Sequence, residues 1–263
     1  MYVDFSQRVF KWRGIAGALV RPGSSSCGSS VSIGDCVLLN FQMGFFAISD
    51  SSDRDPGSSR RFLTQFDQMI YDTPGISMEK RINSLDLQVQ RDNLERGSNR
   101  ILDSVMGSSS CTFTGLHFFN TPEGLVGFVL HTGDSDLYEY DPSTRQFHEL
   151  TEKNFWMVGK TRKLFQIDII KILTPKILIM ATDGVGLALT MNRSGLRTEL
   201  AEIVRCSDVE DIPEQIMDKT RPIDGFEDDA AVIALATQSL GYRNKKIILS
   251  GACEQSEDVK APR

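Results

Sequence analysis

Four places in the chain share one local design. Asp50 follows the apolar run FFAIS, Asp134 follows FVLHTG, Asp183 follows ILIMAT, and Asp228 with Asp229 opens onto AAVIAL. Each joins a strand-like apolar segment to an aspartate beside a small or turn-forming residue. Asp35, in SIGDCVLLN, is a fifth candidate and is expected within a strand. Hard cations such as Mg²⁺ and Mn²⁺ take carboxylate oxygens and water. Strand ends hold a carboxylate more firmly than loops do. Carboxylates gathered at one sheet edge repel each other strongly, and shared cations resolve that conflict. Taken singly, each aspartate is equally ordinary turn chemistry, because Asp bends and caps backbone. The ordered set points to metal ions.

The elements that must position these groups are mostly strands. Residues 1–20 carry alternating and short apolar runs, read as one or two strands, followed by a Ser/Gly-rich loop at 21–30. VSIGDCVLLNF at 31–41 and GFFAISD at 44–50 read as a hairpin. A helix is predicted to begin near Ser58 or Ser59, with Phe62, Phe66 and Ile70 on one face. A second, largely polar helical segment covers about 77–105. From about residue 110 the pattern turns to strands: CTFTGLHFF, GLVGFVLHT, DLYEYD, QFHEL, KLFQIDIIKI and KILIMATDG. Two helices are predicted at about 195–205 and 212–220, and DDAAVIALAT then KKIILSG are expected to close the sheet. Strands that outnumber helices and are joined by short turns favour antiparallel sheets with helices on their outer faces. One domain is expected over residues 1–250, with a polar, disordered tail at 251–263.

Composition narrows the function classes. The 263 residues, 40% hydrophobic and 24% charged, suit a globular chain. A formal net charge of −6 argues against nucleic acid as the main partner, since phosphate backbones need a basic face. The five cysteines (Cys27, Cys36, Cys111, Cys206 and Cys253) are odd in number, widely spaced and free of any CxxC pair, so neither a disulfide framework nor a zinc cage follows. No apolar run has signal-peptide character or approaches the length of a membrane span; the longest, at about 176–189, is broken by Asp183. The reading is a cytoplasmic protein with no membrane partner. Of the three histidines, His131 is closest in sequence to an aspartate of the set, and none is given a role.

The order and wording of these segments resemble the metal-dependent protein phosphatase 2C (PPM-type) family. FFAISDSS stands where the family has a strand ending in Asp-Gly, GSSSCTFTGL where it has a small Gly-Ser/Thr-Thr strand, TGDSD at its Gly-Asp-Ser-Arg turn, ILIMATDGV at its Thr-Asp-Gly strand, and DDAAVIAL at its terminal Asp-Asn/Asp strand. The resemblance spans roughly residues 30–237. It implies an α+β fold: a four-layer α/β/β/α sandwich of two antiparallel β-sheets flanked by helices, with metals in a cleft at one end. It implies two Mn²⁺ or Mg²⁺ ions, with a third in some members. Asp50 would bridge two ions, the carbonyl of Ser51 would ligate one of them, Asp183 and Asp228 would complete the first ion's shell, and Asp134 would stand at the third site. Asp35 would act through metal-bound water, and Asp229 would hold neighbouring loops. The implied activity is hydrolysis of phosphoserine and phosphothreonine esters on proteins by a metal-activated water, with a phosphorylated protein as substrate and a place in signalling.

The chain departs from this pattern at several points. Ser51 replaces the glycine after the first aspartate, Asp136 replaces the arginine of Gly-Asp-Ser-Arg, and Ala231 replaces the last threonine. No basic residue clearly takes the place of the arginine that grips substrate phosphate; Arg21, Arg54, Arg60 and Arg61 are candidates. These changes keep a second reading open, a pseudophosphatase that binds a partner without hydrolysis. A metal-dependent hydrolase of small phosphate esters is a third.

Overall fold

The structure is a computed structural model that describes residues 1–23, 33–52, 56–73, 78, 86–185, 195–224 and 228–251. The Ser/Gly-rich stretch from 24, Arg54, Cys27, Cys253, the start of the polar segment at 79–85 and the tail from 252 lie outside the described residues.

The strands are β1 (Tyr2–Asp4), β2 (Val9–Trp12), β3 (Ala16–Arg21), β4 (Cys36–Asn40), β5 (Phe45–Ser49), β6 (Phe113–Thr121), β7 (Gly124–Thr132), β8 (Asp136–Asp141), β9 (Gln146–Glu149), β10 (Gln166–Ile172), β11 (Ile177–Ala181), β12 (Ala230–Ala236) and β13 (Lys246–Ser250). The helices are α1 (Pro56–Asp72), α2 (Asp86–Ser104), α3 (Gly195–Cys206) and α4 (Ile212–Asp224). They form a seven-stranded sheet, β1-β2-β3-β12-β11-β8-β9, and a six-stranded sheet, β10-β7-β6-β5-β4-β13. Every strand pair is antiparallel.

Three apolar layers explain the order. Between the sheets lie Val37, Leu39, Phe46, Ile48, Leu116, Val129, Met180 and Ile233. The outer face of the six-stranded sheet packs Phe45, Phe113 and Phe128 against Phe62, Phe66 and Ile70 of α1 and Leu94 of α2. The outer face of the seven-stranded sheet packs Ile179 and Val232 against Leu200 and Val204 of α3 and Ile216 and Met217 of α4. Strands buried on both faces read as unbroken apolar runs, as in β4, β5 and β12. The edge strand β10 carries the charged residues Asp168 and Lys171, which guard an exposed edge. The four-layer sandwich expected from sequence is therefore the observed architecture.

Asp35 is not within a strand; β4 begins one residue later, at Cys36. The helix expected from Ser58 begins at Pro56, a residue that suits a first turn because its missing N–H would have no partner there. DDAAVIALAT does not close a sheet: β12 runs through the middle of the seven-stranded sheet between β3 and β11, while β13 forms an edge of the other. A fully apolar strand needs neighbours on both sides, which the pattern AAVIALA itself required.

Candidate metal centre

The registers bring the aspartates to one end of the sandwich. Cys36, just after Asp35, pairs with Ser49, just before Asp50. The end of β7, Thr132, pairs with the start of β6, Phe113, beside Ile48 and Thr114. In the other sheet, Ala181 at the end of β11 pairs with Val232 near the start of β12 and with Asp136 at the start of β8. Asp134 lies in the turn at 133–135 that carries the chain from the six-stranded sheet to the seven-stranded one. Strand endings that look unrelated in sequence thus become neighbours.

A polar scaffold locks these turns together. The hydroxyl of Thr112 accepts the amide of Asp50 at 3.0 Å, while the Thr112 amide donates to the Asp50 carbonyl at 2.8 Å. The same hydroxyl lies 2.7 Å from Oγ of Ser135, next to Asp134. Gly133 has φ of +109°, and a Cβ there would meet Thr112 at 2.8 Å, so the turn that presents Asp134 requires glycine. Thr182 donates its hydroxyl to Oδ2 of Asp35 at 2.8 Å and accepts the amide of Ala231 at 2.9 Å. Asp229 accepts the amides of Gly23 and Gly34 at 2.9 and 2.8 Å, which fastens the two ends of the 24–32 segment as expected of a loop-holding residue. At Gly184 a side chain would overlap the carbonyl of Asp229, so the glycine of Thr-Asp-Gly is a packing requirement. Ser51 pairs with Cys111 and is not among the left-handed non-glycine residues, Arg8 and Arg145, so replacing glycine there costs the backbone nothing.

The carboxyls at this end of the sandwich act on one another electrostatically. Burial, then the charge of Asp183, pushes the Asp50 carboxyl up to about 7, and Asp228 and Asp134 add to the rise. Burial, then Asp134 and Asp228, lifts Asp183 to about 6. Asp35 is fully buried and raised well above the carboxylate range by burial first and Asp50 second; the two carboxyls are close enough to share a proton. At an effective dielectric near 20, like charges 4 Å apart cost about 4 kcal/mol, more than a turn role would justify. With the groups ionised, Oδ1 of Asp35 and Oδ1 of Asp183 are buried without hydrogen-bond partners. Hard oxygens with unmet lone pairs and excess negative charge fit a divalent cation. Among the described residues no group of three His, Cys, Asp or Glu side chains is gathered closely enough to hold an ion.

The fold has solved counterparts. A bacterial serine phosphatase superposes with a TM-score of 0.63 at 12% identity, covering 84% of this chain and 97% of that one. The PPM Ser-Thr phosphatase MsPP of Mycobacterium smegmatis matches with a TM-score of 0.57 at 14% identity over 84% of this chain and 97% of that one. The catalytic domain of the serine/threonine phosphatase PstP, solved with two manganese ions, gives 0.60 at 14% identity with the same coverage. The chain has the PPM phosphatase fold. No protein-family model matches the sequence, and neither does any curated protein. At such identities the likeness shows the fold.

Several residues not assigned from sequence complete the pocket on this phosphatase fold. Thr182 was visible inside Thr-Asp-Gly, and Thr112 inside the small-residue strand, but their partners lie far away in sequence. Lys153 carried no signal at all: its Nζ lies 3.2 Å from Oδ2 of Asp136, whose side chain is fully buried. Asp136 rises to about 6 through burial, against the opposing pull of Lys153. Arg21, opposite Ala230 in register, is held by Asp218 of α4 at 2.6 Å. His131 is buried, donates from Nε2 to the carbonyl of Glu152 at 3.1 Å and is lowered to about 4 by burial, so it serves as a neutral anchor. Among the described cysteines, Cys36, Cys111 and Cys206 are free. No helix among the described residues is long and apolar enough to cross a membrane.

Proposed function

We propose that this chain is a metal-dependent protein serine/threonine phosphatase whose centre is built by Asp50, Asp183 and Asp228, with the carbonyl of Ser51 and with Asp134 at a further, looser position. The observation that carries the reading is the register, which brings the strand ends bearing Asp35, Asp50, Asp183 and Asp228 together across the two sheets. Two Mn²⁺ or Mg²⁺ ions are the expected occupants, and a third would take Asp134 as its ligand. Such ions, when bound, lower the pKa of water and neutralise phosphoryl oxygens.

The chain's own residues do the positioning. Asp50, fixed through its backbone by Thr112, holds its carboxylate between the two sheets. Asp35, oriented by Thr182, can accept a proton from an attacking water or return one to the leaving alkoxide, since its environment favours the protonated form. No nucleophilic cysteine is needed, in keeping with the burial of Cys36 and Cys111. A phosphorylated segment of a protein has apolar footing nearby: Phe155 is 97% exposed, one residue past Asn154, whose amide bonds the carbonyl of Gly133. The free thiols suit a cytoplasmic setting.

The pseudophosphatase alternative has less support. A non-catalytic module has no need to keep strongly repelling carboxylates together at a cost to its own stability. The direct test is release of phosphate from p-nitrophenyl phosphate and from phosphoserine peptides with Mn²⁺ or Mg²⁺. Turnover should require the metal and fall at least 1,000-fold, as an order of magnitude for removing a principal ligand, in Asp183→Asn. Equal activity in that variant, or none in the parent with either metal, would overturn the proposal.

A further inference from the structure

The connection between β9 and β10 differs in charge from the rest of the chain. From Lys153 to Ile167 it carries four basic residues, Lys153, Lys160, Arg162 and Lys163, and no acidic one, within a chain of formal net charge −6. Lys153 is bound to the buried Asp136. Lys160, Arg162 and Lys163 are exposed, and Arg162 pairs loosely with Asp103 at 3.7 Å. The same stretch carries three exposed aromatic side chains: Phe155 is 97% exposed, Trp156 40% and Phe165 37%. The rings of Trp156 and Phe165 meet edge to face at 5.6 Å, and Nζ of Lys163 lies 5.5 Å from the Trp156 ring centroid. Apolar side chains exposed singly need no explanation, whereas a cluster of aromatic and basic groups marks a surface for contact.

These side chains stand on a fixed backbone. Oδ1 of Asn154 accepts the amides of Gly133 and Trp156, each at 3.0 Å, and the amide of Asn154 donates to the carbonyl of Gly133 at 2.9 Å. The hydroxyl of Thr132 donates to the carbonyl of Trp156 at 2.9 Å. Val158 is buried and pairs with Cys111, which pairs in turn with Ser51. Leu164 is buried in the apolar layer that packs against α1. The ledge is thus bonded to the turn before Asp134 and, through Cys111, to the residue after Asp50. A partner that settles on it has little backbone left to order, which lowers the cost of binding.

Basic and aromatic groups together also suit a nucleic acid strand or an anionic bilayer. Either of those presents an extended field of phosphates, which the acidic remainder of this chain repels. A short acidic segment of a protein needs the ledge alone. We infer that Phe155, Trp156 and Phe165, with Lys160, Arg162 and Lys163, dock an acidic segment of the substrate protein that carries an apolar side chain to cover Phe155. Attraction at the ledge offsets the repulsion that acidic residues meet at the aspartates nearby, so the surface selects substrates with such a segment. That the segment belongs to a substrate rests on the phosphatase reading. That the ledge binds an acidic segment rests on exposure and charge, and it is tested apart from turnover.

The test uses the full chain and a labelled, unphosphorylated peptide of glutamates around a central leucine, followed by fluorescence anisotropy and by the emission of Trp156. The parent should bind this peptide, bind its lysine-for-glutamate counterpart at least about tenfold more weakly, and lose affinity as salt is raised. Lys160→Glu/Lys163→Glu and, separately, Phe155→Ser should each weaken binding by about tenfold or more, with Tm unchanged because all three side chains are exposed. With Mn²⁺ present, a phosphoserine peptide with the acidic flank should have a lower KM than one with a basic flank, and the charge-reversed variant should erase that preference. Failure of the parent to bind the acidic peptide overturns the inference, as does equal binding by the parent and both variants. Tighter binding of phosphatidylserine vesicles or of oligothymidylate than of the peptide also overturns it, because the ledge would then serve a membrane or a nucleic acid. Peptide binding that needs Phe155 and the lysines, without turnover of any phosphopeptide, removes the phosphatase reading and leaves the docking ledge in place.

Discussion

Thr182 and Asp35 join the two sheets at the candidate centre: the threonine hydroxyl donates to Oδ2 of the buried carboxyl across 2.8 Å. The threonine follows β11 of the seven-stranded sheet, and the aspartate leads into β4 of the six-stranded one. The same hydroxyl accepts the amide of Ala231. One side chain therefore sets the separation of two strand ends and the orientation of a carboxyl that leans toward Asp50. A polar network of this kind is rigid when every member is satisfied and costly when one is removed.

Thr182→Val should cost about 1–3 kcal/mol, the usual range for leaving buried donors and acceptors unsatisfied. It strips Asp35 of a donor and Ala231 of an acceptor at nearly constant volume. Urea denaturation of the metal-free chain measures the loss, and phosphatase turnover should fall by about tenfold or more as Asp35 loses its orientation. Thr182→Ser, which keeps the hydroxyl, should recover most of both. Wild-type stability in the valine variant would show that the hydrogen bond carries no weight.

The metal-free chain should become less stable as pH rises from about 4 to 8. Asp50 and Asp183 titrate near 7 and 6 in the folded state, above the ordinary value of 3.8. The folded state thus holds more protons than the unfolded one in this window. Protonation contributes stability that is fully present below pH 4 and lost as pH passes through 6 and 7, on the order of a few kcal/mol in all. Thermal melts in EDTA should show a falling Tm over this range. Mn²⁺ competes with protons for the same oxygens, so it should raise Tm more at pH 8 than at pH 5. A Tm that climbs with pH in EDTA would contradict the raised carboxyls.

Gly184→Ala should destabilise severely, by about 3 kcal/mol or more, because its Cβ overlaps the backbone carbonyl of Asp229 and neither chain can yield without moving a strand end. Gly241→Ala is the control: its Cβ would meet only Arg243, at an ordinary 3.6 Å, and a change within about 0.5 kcal/mol is expected. Chemical denaturation of both variants separates crowding at the pocket from a general intolerance of alanine.

The sequence made the layers legible because each strand carries its burial in its pattern. GLVGFVLHT and DLYEYD coincide with β7 and β8 to the residue, and the apolar faces of α1, α3 and α4 declare what they pack against. The aspartates were legible as strand endings. Their meeting depended on register, which no local pattern encodes: Cys36 opposite Ser49 and Ala181 opposite Asp136 are facts of pairing. Asp35 reads as a strand residue because an apolar run continues on both sides of it, yet the strand begins only at Cys36 and the Asp35 carboxyl is bonded by Thr182. Lys153 was invisible for a plainer reason. A lone lysine in a polar loop looks like solvent-facing charge until a buried Asp136 is found behind it.

Asp183→Asn should move stability and activity in opposite directions. In the metal-free chain at pH 8 the carboxylate of Asp183 is repelled by Asp134 and Asp228 and has one buried oxygen without a partner. Replacing it with a neutral amide of the same shape removes the repulsion and supplies a donor to nearby carboxylates. Tm in EDTA should therefore rise, by a margin that shrinks as pH falls toward 5 and the native carboxyl protonates. With Mn²⁺ present the order should invert, since the parent gains binding energy that the variant lacks a ligand to capture. A residue kept only to shape the turn at the end of β11 would behave otherwise: the substitution would leave Tm unchanged or lower it, alike in EDTA and in Mn²⁺. The crossing of the two pairs of melts is the signature of a carboxylate that the fold maintains against its own stability for the sake of a cation.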